Sequence, residues 1–371
     1  MSRSAITEAK RIVIKVGSST LTGSAGDELN LDAIKSLVAV VAQLRSASKE
    51  VVLVSSGAIA AGMAPLGLTV RPKDLATQQA CASVGQGLLI AAYNREFAEH
   101  DLIASQVLLT IDDVVRRSHY QNAQRTLQRL LQLGVVPIIN ENDSVGVQEI
   151  RFGDNDRIAA LISHLIGADV LALVTDVDGL YDAPPSHPGA KRIPEVKDAA
   201  RIGDIEIGGV GSSGVGSGGM VTKIEAAKIS TSAGVAMLLT TLAQLPDAVT
   251  GHDVGTIFHA TTEHKPSRLL WLAHASTPHG KLHLDAGATT AIRERGTSLL
   301  PIGVTSLEGE FIAGDTVELI SPKGEVIGRG LVAFDSAEIP SLLGRTTKEL
   351  GQALGPEYER ELVHRDDLVL L

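Results

Sequence analysis

Residues 208–219 read GGVGSSGVGSGG, seven glycines in twelve, and run directly into Met220, Val221, Thr222, Lys223, Ile224, Glu225, Ala226 and Ala227, a helical pattern. Glycine lets backbone N–H groups approach a ligand closely, and a helix N-terminus adds positive potential; together they suit a polyphosphate. The string contains GxGxxG twice, from Gly209 and from Gly214. It lacks the acidic residue ~20 positions on that a dinucleotide fold requires, and no lysine directly follows the glycines as in a Walker loop. Lys15 lies inside the apolar run Ile12–Val16, ahead of Gly17-Ser18-Ser19, and Lys223 lies near the start of the helix after the loop. Polar clusters follow other apolar runs: Val54 to Ala60 (VSSGAIA), Asn140-Glu141-Asn142-Asp143 and Thr175-Asp176-Val177-Asp178-Gly179, while Phe152-Gly153-Asp154-Asn155-Asp156 opens a helix. Each has a plainer reading. The loop can be a linker, Lys15 a strand-end side chain reaching solvent, Lys223 a surface lysine, and each cluster a turn or cap.

A phosphate cradle, two candidate lysines and no poised histidine suggest phosphoryl transfer to a carboxylate. A hydroxyl acceptor usually benefits from a general base. A carboxylate, with a pKa near ~4, is already ionised and needs none. It needs the repulsion between two anions offset, which lysines and Mg²⁺ supply, and it needs positioning.

Something must hold these residues together. Ile12–Val16, Val51–Val54, Ser105–Leu109, Val135–Ile139, Val170–Val174 and Val235–Leu239 are aliphatic runs of strand length. They are nearly continuous rather than alternating, as parallel strands buried on both faces are. Helical patterns lie between them. One starts at Asn30 or Asp32 and carries Ile34, Leu37, Val38, Val41 and Leu44; another places Leu127, Leu130 and Leu131 on one face. Strand–helix alternation predicts an α/β fold, an αβα sandwich around a mainly parallel sheet. Ligands then bind at the carboxyl ends of the strands, where the polar clusters would converge.

The pattern changes after Phe258. From Lys281 the runs are short: Leu282–Leu284, Ile302–Val304, Thr316–Ile320, Glu325–Ile327 and Leu331–Ala333, with Ser321–Gly324 as a hairpin turn. This predicts a small β-rich domain. The expected division is 1–262 as a catalytic domain, 263–279 as a linker and 280–371 as the second domain.

Across the 371 residues, hydrophobic side chains make up 44% and aromatic ones 3%, so the core is aliphatic. A net charge of −10, and 9 basic against 15 acidic side chains (−6) over 277–371, argue against nucleic-acid binding, which relies on lysine and arginine at phosphates. The single cysteine, Cys81, excludes an internal disulfide, and the histidines show no metal-ligand spacing, so no protein-built metal site is expected. MSRSAITEAKR lacks the apolar run of a signal peptide, and no stretch reaches the ~20 apolar residues of a membrane helix. The expectation is a cytoplasmic protein.

The motifs IKVGSS (14–19), VSSGAIAAG (54–62), INEND (139–143), GDND (153–156), LVTDVDGLY (173–181) and GSGGMVTK (216–223) resemble the amino-acid kinase family. In order and wording they are similar to its glutamate-phosphorylating members. Leu282–Leu284 with Asp285-Ala286-Gly287-Ala288, Ser298 to Val304, and Val363-His364-Arg365-Asp366-Asp367 resemble a PUA domain. The resemblance implies the amino-acid kinase fold with a PUA-like domain, and ATP-dependent phosphorylation of the γ-carboxylate of L-glutamate, the first step of proline biosynthesis. It places Lys15 and Lys223 beside the transferring phosphoryl group, with Asp156 holding both. It assigns Ser56, Asp143 and Asn155 to glutamate. It assigns Lys15, Thr175, Asp176, Ser217, Gly218, Gly219, Met220, Val221, Thr222 and Lys223 to ATP, with Mg²⁺ carried mainly on the nucleotide. It further implies feedback inhibition by proline, a homo-oligomer (dimer or tetramer) and hand-over of product to glutamate-5-semialdehyde dehydrogenase. The alternatives are a kinase of the same fold acting on aspartate, N-acetylglutamate, carbamate or a nucleoside monophosphate, and a PUA-dependent RNA-binding or regulatory protein.

Overall fold

The aliphatic runs of the first two-thirds pair side by side. The computed structural model describes residues 3–23, 28–110, 113, 117–144, 155–184, 187–204, 219–261, 272 and 278–371, in two units that divide between His264 and Lys265. In the first unit the strands are β1 (Arg11–Val16), β2 (Glu50–Ser55), β3 (Ala104–Leu109), β4 (Val136–Glu141), β5 (Val170–Thr175), β6 (Leu180–Tyr181), β7 (Arg192–Ile193), β8 (Glu195–Val196), β9 (Ala236–Thr241) and β10 (Thr256–Phe258). Eight of them form one sheet in the order β3-β4-β2-β1-β5-β9-β10-β8. Every pairing in it is parallel except β9 with β10.

β1, β2 and β5 are buried almost throughout, as a central parallel strand must be when helices cover both faces. β3 departs from that expectation. It is the edge strand, and Gln106 is exposed. The helix Leu31–Ser46 begins at Asn30, not Asp32, because the Asn30 side chain accepts the Ala33 N–H. It buries Ile34, Leu37, Val38, Val41 and Leu44 against the sheet core. In the helix Arg117–Gln132, Leu127 and Leu131 are buried and Leu130 half-buried. No helix among the described residues is long and apolar enough to cross a membrane.

Chain connectivity positions the site. From β1 the chain moves to β2, which lies on one side of it, and later to β5 and β9 on the other. The crevice at the carboxyl ends of β1 and β5 is therefore the topological switch point, where open α/β sheets bind ligands.

The second unit holds β11 (Gly280–Leu284), β12 (Val304–Gly309), β13 (Thr316–Ile320), β14 (Val326–Val332) and β15 (Val363–Leu370), in the order β12-β11-β13-β14-β15. The Ser321–Gly324 turn joins the antiparallel pair β13/β14. Three expectations change. Ile302 lies in a 3-10 turn, Pro301–Gly303, held by its proline. The separate runs 325–327 and 331–333 belong largely to one strand, β14. Gly328 and Gly330 resemble turn residues in the sequence but sit mid-strand, because added Cβ atoms would lie 2.4 Å from the Val369 carbonyl oxygen and 2.3 Å from Val363 Cγ1. The charged stretch His364–Asp367 belongs to β15. The unit also contains helices Ala286–Arg295 and Thr347–Leu354, the latter started by a Thr346/Glu349 capping box.

One close contact in the first unit bears on the site. The helices Ala58–Met63 and Leu75–Ala98 cross backbone to backbone. A Cβ on Gly85 would stand 1.9 Å from the Ala58 carbonyl oxygen, and one on Gly62 1.9 Å from that of Cys81. Gly87, two residues on, has nothing within 4 Å of its would-be Cβ. Gly85→Ala should therefore destabilise the fold by about 1–3 kcal/mol or more through overpacking. Gly87→Ala should stabilise it by about 0.5–1 kcal/mol through helix propensity. Urea denaturation of the two variants checks this; shifts of the same sign would contradict the packing described.

Candidate active site

Lys15 is the penultimate residue of β1, paired in register with Val54 on one side and Leu173 on the other. A lysine at the centre of a parallel sheet needs a counter-charge. Its Nζ lies 2.5 Å from Asp156 Oδ1. The other carboxylate oxygen, Oδ2, lies 3.3 Å from Lys223 Nζ and accepts from the Thr222 hydroxyl at 3.1 Å. The side chains of Lys15, Asp156 and Lys223 are 10%, 2% and 9% exposed. Asp156 stands in the first turn of helix Asn155–Ile166, and Lys223 in the first turn of helix Met220–Ser232. A helix N-terminus favours the carboxylate and disfavours the lysine. Burial pushes the Asp156 carboxyl up, but the charges of Lys15 and Lys223 outweigh burial and hold it at about 2. Two cations share one anion, so the trio carries a surplus positive charge.

A neutral polar network lies beside it. Asn155 Nδ2 donates to Ser56 Oγ at 2.7 Å, to the Ser55 carbonyl oxygen at 3.2 Å and to Asn140 Oδ1 at 3.4 Å. Asn140, at the end of β4, is buried, accepts the Glu141 N–H at 2.9 Å and donates to Gln86 Oε1 at 2.7 Å. The buried Tyr93 hydroxyl meets Ser55 Oγ at 3.0 Å. Gln86 also lines a cleft of about 260 Å³ with Ser83, Gln106, Glu141, Asn142 and Asp143. Burial pushes the Asp143 carboxyl up to about 6, with Arg71 pulling the other way.

On the β5 side, Thr175 ends its strand and donates to Asp176 Oδ1 at 3.0 Å. The helix Met220–Ser232 opens at Gly219 with no side-chain cap among the described residues, and the N–H groups of such a first turn suit an anion. Thr222 also reaches the Gly219 carbonyl oxygen at 2.9 Å. Met220 is half-buried and Val221 57% exposed. Ser217, Gly218 and the rest of the glycine string before Gly219 lie outside the described residues, as do Gly153 and Asp154.

The structure thus joins Lys15, Asp156, Thr222 and Lys223 by direct contacts, and Ser56 to Asn155. Asp143 shares a cleft with Gln86 of that network. Thr175 ends the strand next to β1, and Asp176 follows it. The candidate set drawn from the sequence omitted Asn140, Ser55, Gln86 and Tyr93. Asn140 carries a readable signal, a polar residue closing an apolar run, whereas Gln86 and Tyr93 carry none.

A lysine pair bridged by a carboxylate stands at the switch point of a parallel sheet, one of the lysines in the first turn of a helix, and such an arrangement can offset the repulsion between two anions. Residues 10–239 match the model of the amino acid kinase family, and residues 280–354 match that of the PUA domain. The chain belongs to the amino acid kinase family. Along its whole length it is similar to a glutamate 5-kinase of Streptomyces coelicolor, 57% identical over 369 residues, covering 100% of this chain and 98% of that one. It is also similar to those of Thermobifida fusca (56% over 370 residues, 100% and 95%) and Bifidobacterium adolescentis (51% over 372 residues, 100% and 98%).

The electrostatics of Asp156 carry a test. In an unfolded chain its pKa is about 3.9, so folding favours the charged form. Its stabilisation is complete above that value and is lost as pH falls towards about 2. Asp156→Asn leaves two buried lysines without their anion and should cost about 3–5 kcal/mol at pH 7. The gap between wild type and variant in urea denaturation should then close as the pH is lowered below about 4. A gap independent of pH would rule out this role.

Proposed function

We infer that this chain is an enzyme that transfers the γ-phosphoryl group of ATP to the γ-carboxylate of L-glutamate, giving L-glutamyl 5-phosphate, the first step of proline biosynthesis. The observation that carries the reading is the buried Lys15–Asp156–Lys223 trio at the carboxyl end of β1. It stands in a chain similar to glutamate 5-kinases over its full length.

The chemistry follows from charge. The γ-carboxylate attacks Pγ, an oxygen–phosphorus bond forms, the bond to the β,γ-bridging oxygen breaks, and ADP leaves with the electron pair. No proton need move in this step. The obstacle is anion–anion repulsion, and the residues proposed to offset it are Lys15 and Lys223, one on each side of the phosphoryl group. Asp156 fixes both ammonium groups before the nucleotide arrives, so little reorganisation is left for the reaction itself. Ser217 to Lys223, Thr175 and Asp176 are proposed to hold ATP, with backbone N–H groups at Gly219 and beyond facing phosphate. Mg²⁺ carried mainly on the nucleotide would add positive charge at the transferring group.

Glutamate is proposed to lie over β1, β2 and β4. Ser56, Asp143 and Asn155 form a mainly acceptor set for its α-ammonium end, which leaves the γ-carboxylate to the lysines. The second unit is read as regulatory or structural, and its acidic balance argues against RNA. Proline inhibition, a dimer or tetramer, and hand-over of the labile acyl phosphate to glutamate-5-semialdehyde dehydrogenase belong to the same reading.

Hydroxylamine converts an acyl phosphate to a stable hydroxamate. With MgATP, hydroxamate should form with L-glutamate and not with L-aspartate, N-acetyl-L-glutamate or carbamate, and UMP should release no ADP. Lys223→Ala should lower kcat by orders of magnitude while ATP still binds. Faster turnover of another acceptor would sink the glutamate assignment. Asp143 supplies a second measurement. It must be ionised to pair with an ammonium, so KM for L-glutamate should rise as pH falls through about 6. Asp143→Asn should show a raised KM that no longer varies over that range; a variant retaining the wild-type profile would free Asp143 of this role.

A further inference from the structure

The polar network beside the lysines has a direction, and two backbone groups set it. The Glu141 N–H can only donate, so the Asn140 atom facing it is Oδ1, at 2.9 Å. Asn140 Nδ2 must then face Gln86, whose Oε1 accepts at 2.7 Å. The Ser55 carbonyl can only accept, so Asn155 turns Nδ2 towards it, at 3.2 Å, and the same Nδ2 reaches Ser56 Oγ and Asn140 Oδ1. Asn155 Oδ1 is what remains, a buried acceptor with no donor among the described residues. A second branch comes from Tyr93, seven positions after Gln86 and hence on nearly the same face of the helix Leu75–Ala98. Ser55 Oγ donates to the Ser56 carbonyl oxygen at 3.1 Å, which uses its one proton. Tyr93, 0% exposed, is therefore the donor in its 3.0 Å contact with Ser55 Oγ. The helix bearing both is seated by Gly85 against the helix that follows Ser56 and Gly57.

We propose that Gln86 and Tyr93 are positioning residues for the amino-acid substrate. Through Asn140 and through Ser55–Ser56 they hold Asn155 with Nδ2 consumed and Oδ1 unused, a fixed acceptor for the α-ammonium, the only N–H donor that L-glutamate carries. This rests on the reading that Asn155 binds glutamate. Neither side chain transfers charge or touches the transferring group; each acts by restricting the orientation of another.

Steady-state kinetics on the full chain test this with four variants. Gln86→Met keeps length and removes the acceptor; Gln86→Glu keeps an acceptor. Tyr93→Phe removes one hydroxyl, and Asn155→Ala removes the residue through which both act. Gln86→Met and Tyr93→Phe should each raise KM for L-glutamate about five- to tenfold, leaving kcat and KM for ATP within about twofold. Gln86→Glu should stay within about threefold of wild type, and adding Gln86→Met to Asn155→Ala should change nothing further, since both remove one interaction. Should Asn155→Ala raise KM while Gln86→Met and Tyr93→Phe do not, the positioning role fails and the binding role of Asn155 stands. Should Asn155→Ala leave KM unchanged, the binding role fails and takes this proposal with it. Equal damage by Gln86→Met and Gln86→Glu would also overturn it, and the Gln86 pair alone decides if Tyr93→Phe does not fold.

Discussion

The first unit is organised around a carboxylate that cannot be left alone. Asp156 is 2% exposed, and isolating a charge at that depth would cost several kcal/mol. Lys15 and Lys223, from strand and helix far apart in the chain, meet it on its two oxygens. Each lysine has the same difficulty, so the three are stable only together. This constraint sets the register of three elements: β1 must end where Lys15 reaches the crevice, and two helices must begin beside it. The α/β scaffold supplies those positions, because parallel strands end at one edge and the helices that follow them start there.

A surplus positive charge at the site matters more in an acidic protein. The chain carries a net charge of −10, which opposes the approach of ATP and of an amino-acid dicarboxylate alike. The site reverses that locally with two lysines and the uncapped N-terminus of helix Met220–Ser232. The two lysines are buried, where charge interacts more strongly than on the surface. An equal number of exposed lysines would be screened by salt and would do less.

Much of this was readable from residue types alone, for physical reasons. Lys15 stands out because a charge inside an aliphatic run is costly, and five of the six main strands, all but the edge strand β3, stand out because burial on both faces leaves continuous runs. What stayed hidden depends on separation along the chain. Gln86 meets Asn140 across 54 residues and Tyr93 meets Ser55 across 38, and nothing local marks either as functional. The helix bearing them has polar and small residues on all sides, because part of it faces the cleft. β15 was hidden otherwise. Its buried anchors are Val363 and Val369, and His364, Arg365 and Asp366 between them are exposed, so the stretch reads as surface although it is paired. In β14, glycines that mark turns elsewhere serve close strand packing.

In the proposed reading, the contrast between the two halves of the site orients a symmetric-looking substrate. Glutamate carries carboxylates at both ends and differs between them only by the α-ammonium. A site lined everywhere with cations would bind either carboxylate at the phosphoryl group. Here the two buried lysines stand at the crevice at β1, while the other half offers Asp143, with Arg71 near it, Ser56 and the Asn155 oxygen that has no donor among the described residues. In the proposed reading that half attracts the ammonium through its acceptors, and the lysine pair attracts the γ-carboxylate. Neutral amides suit it better than further aspartates would. Hydrogen bonds fixed by backbone groups are directional, and they add no negative charge to repel the substrate's own carboxylates or the nearby triphosphate. In that reading orientation follows from the separation of the lysine pair from the directional acceptors.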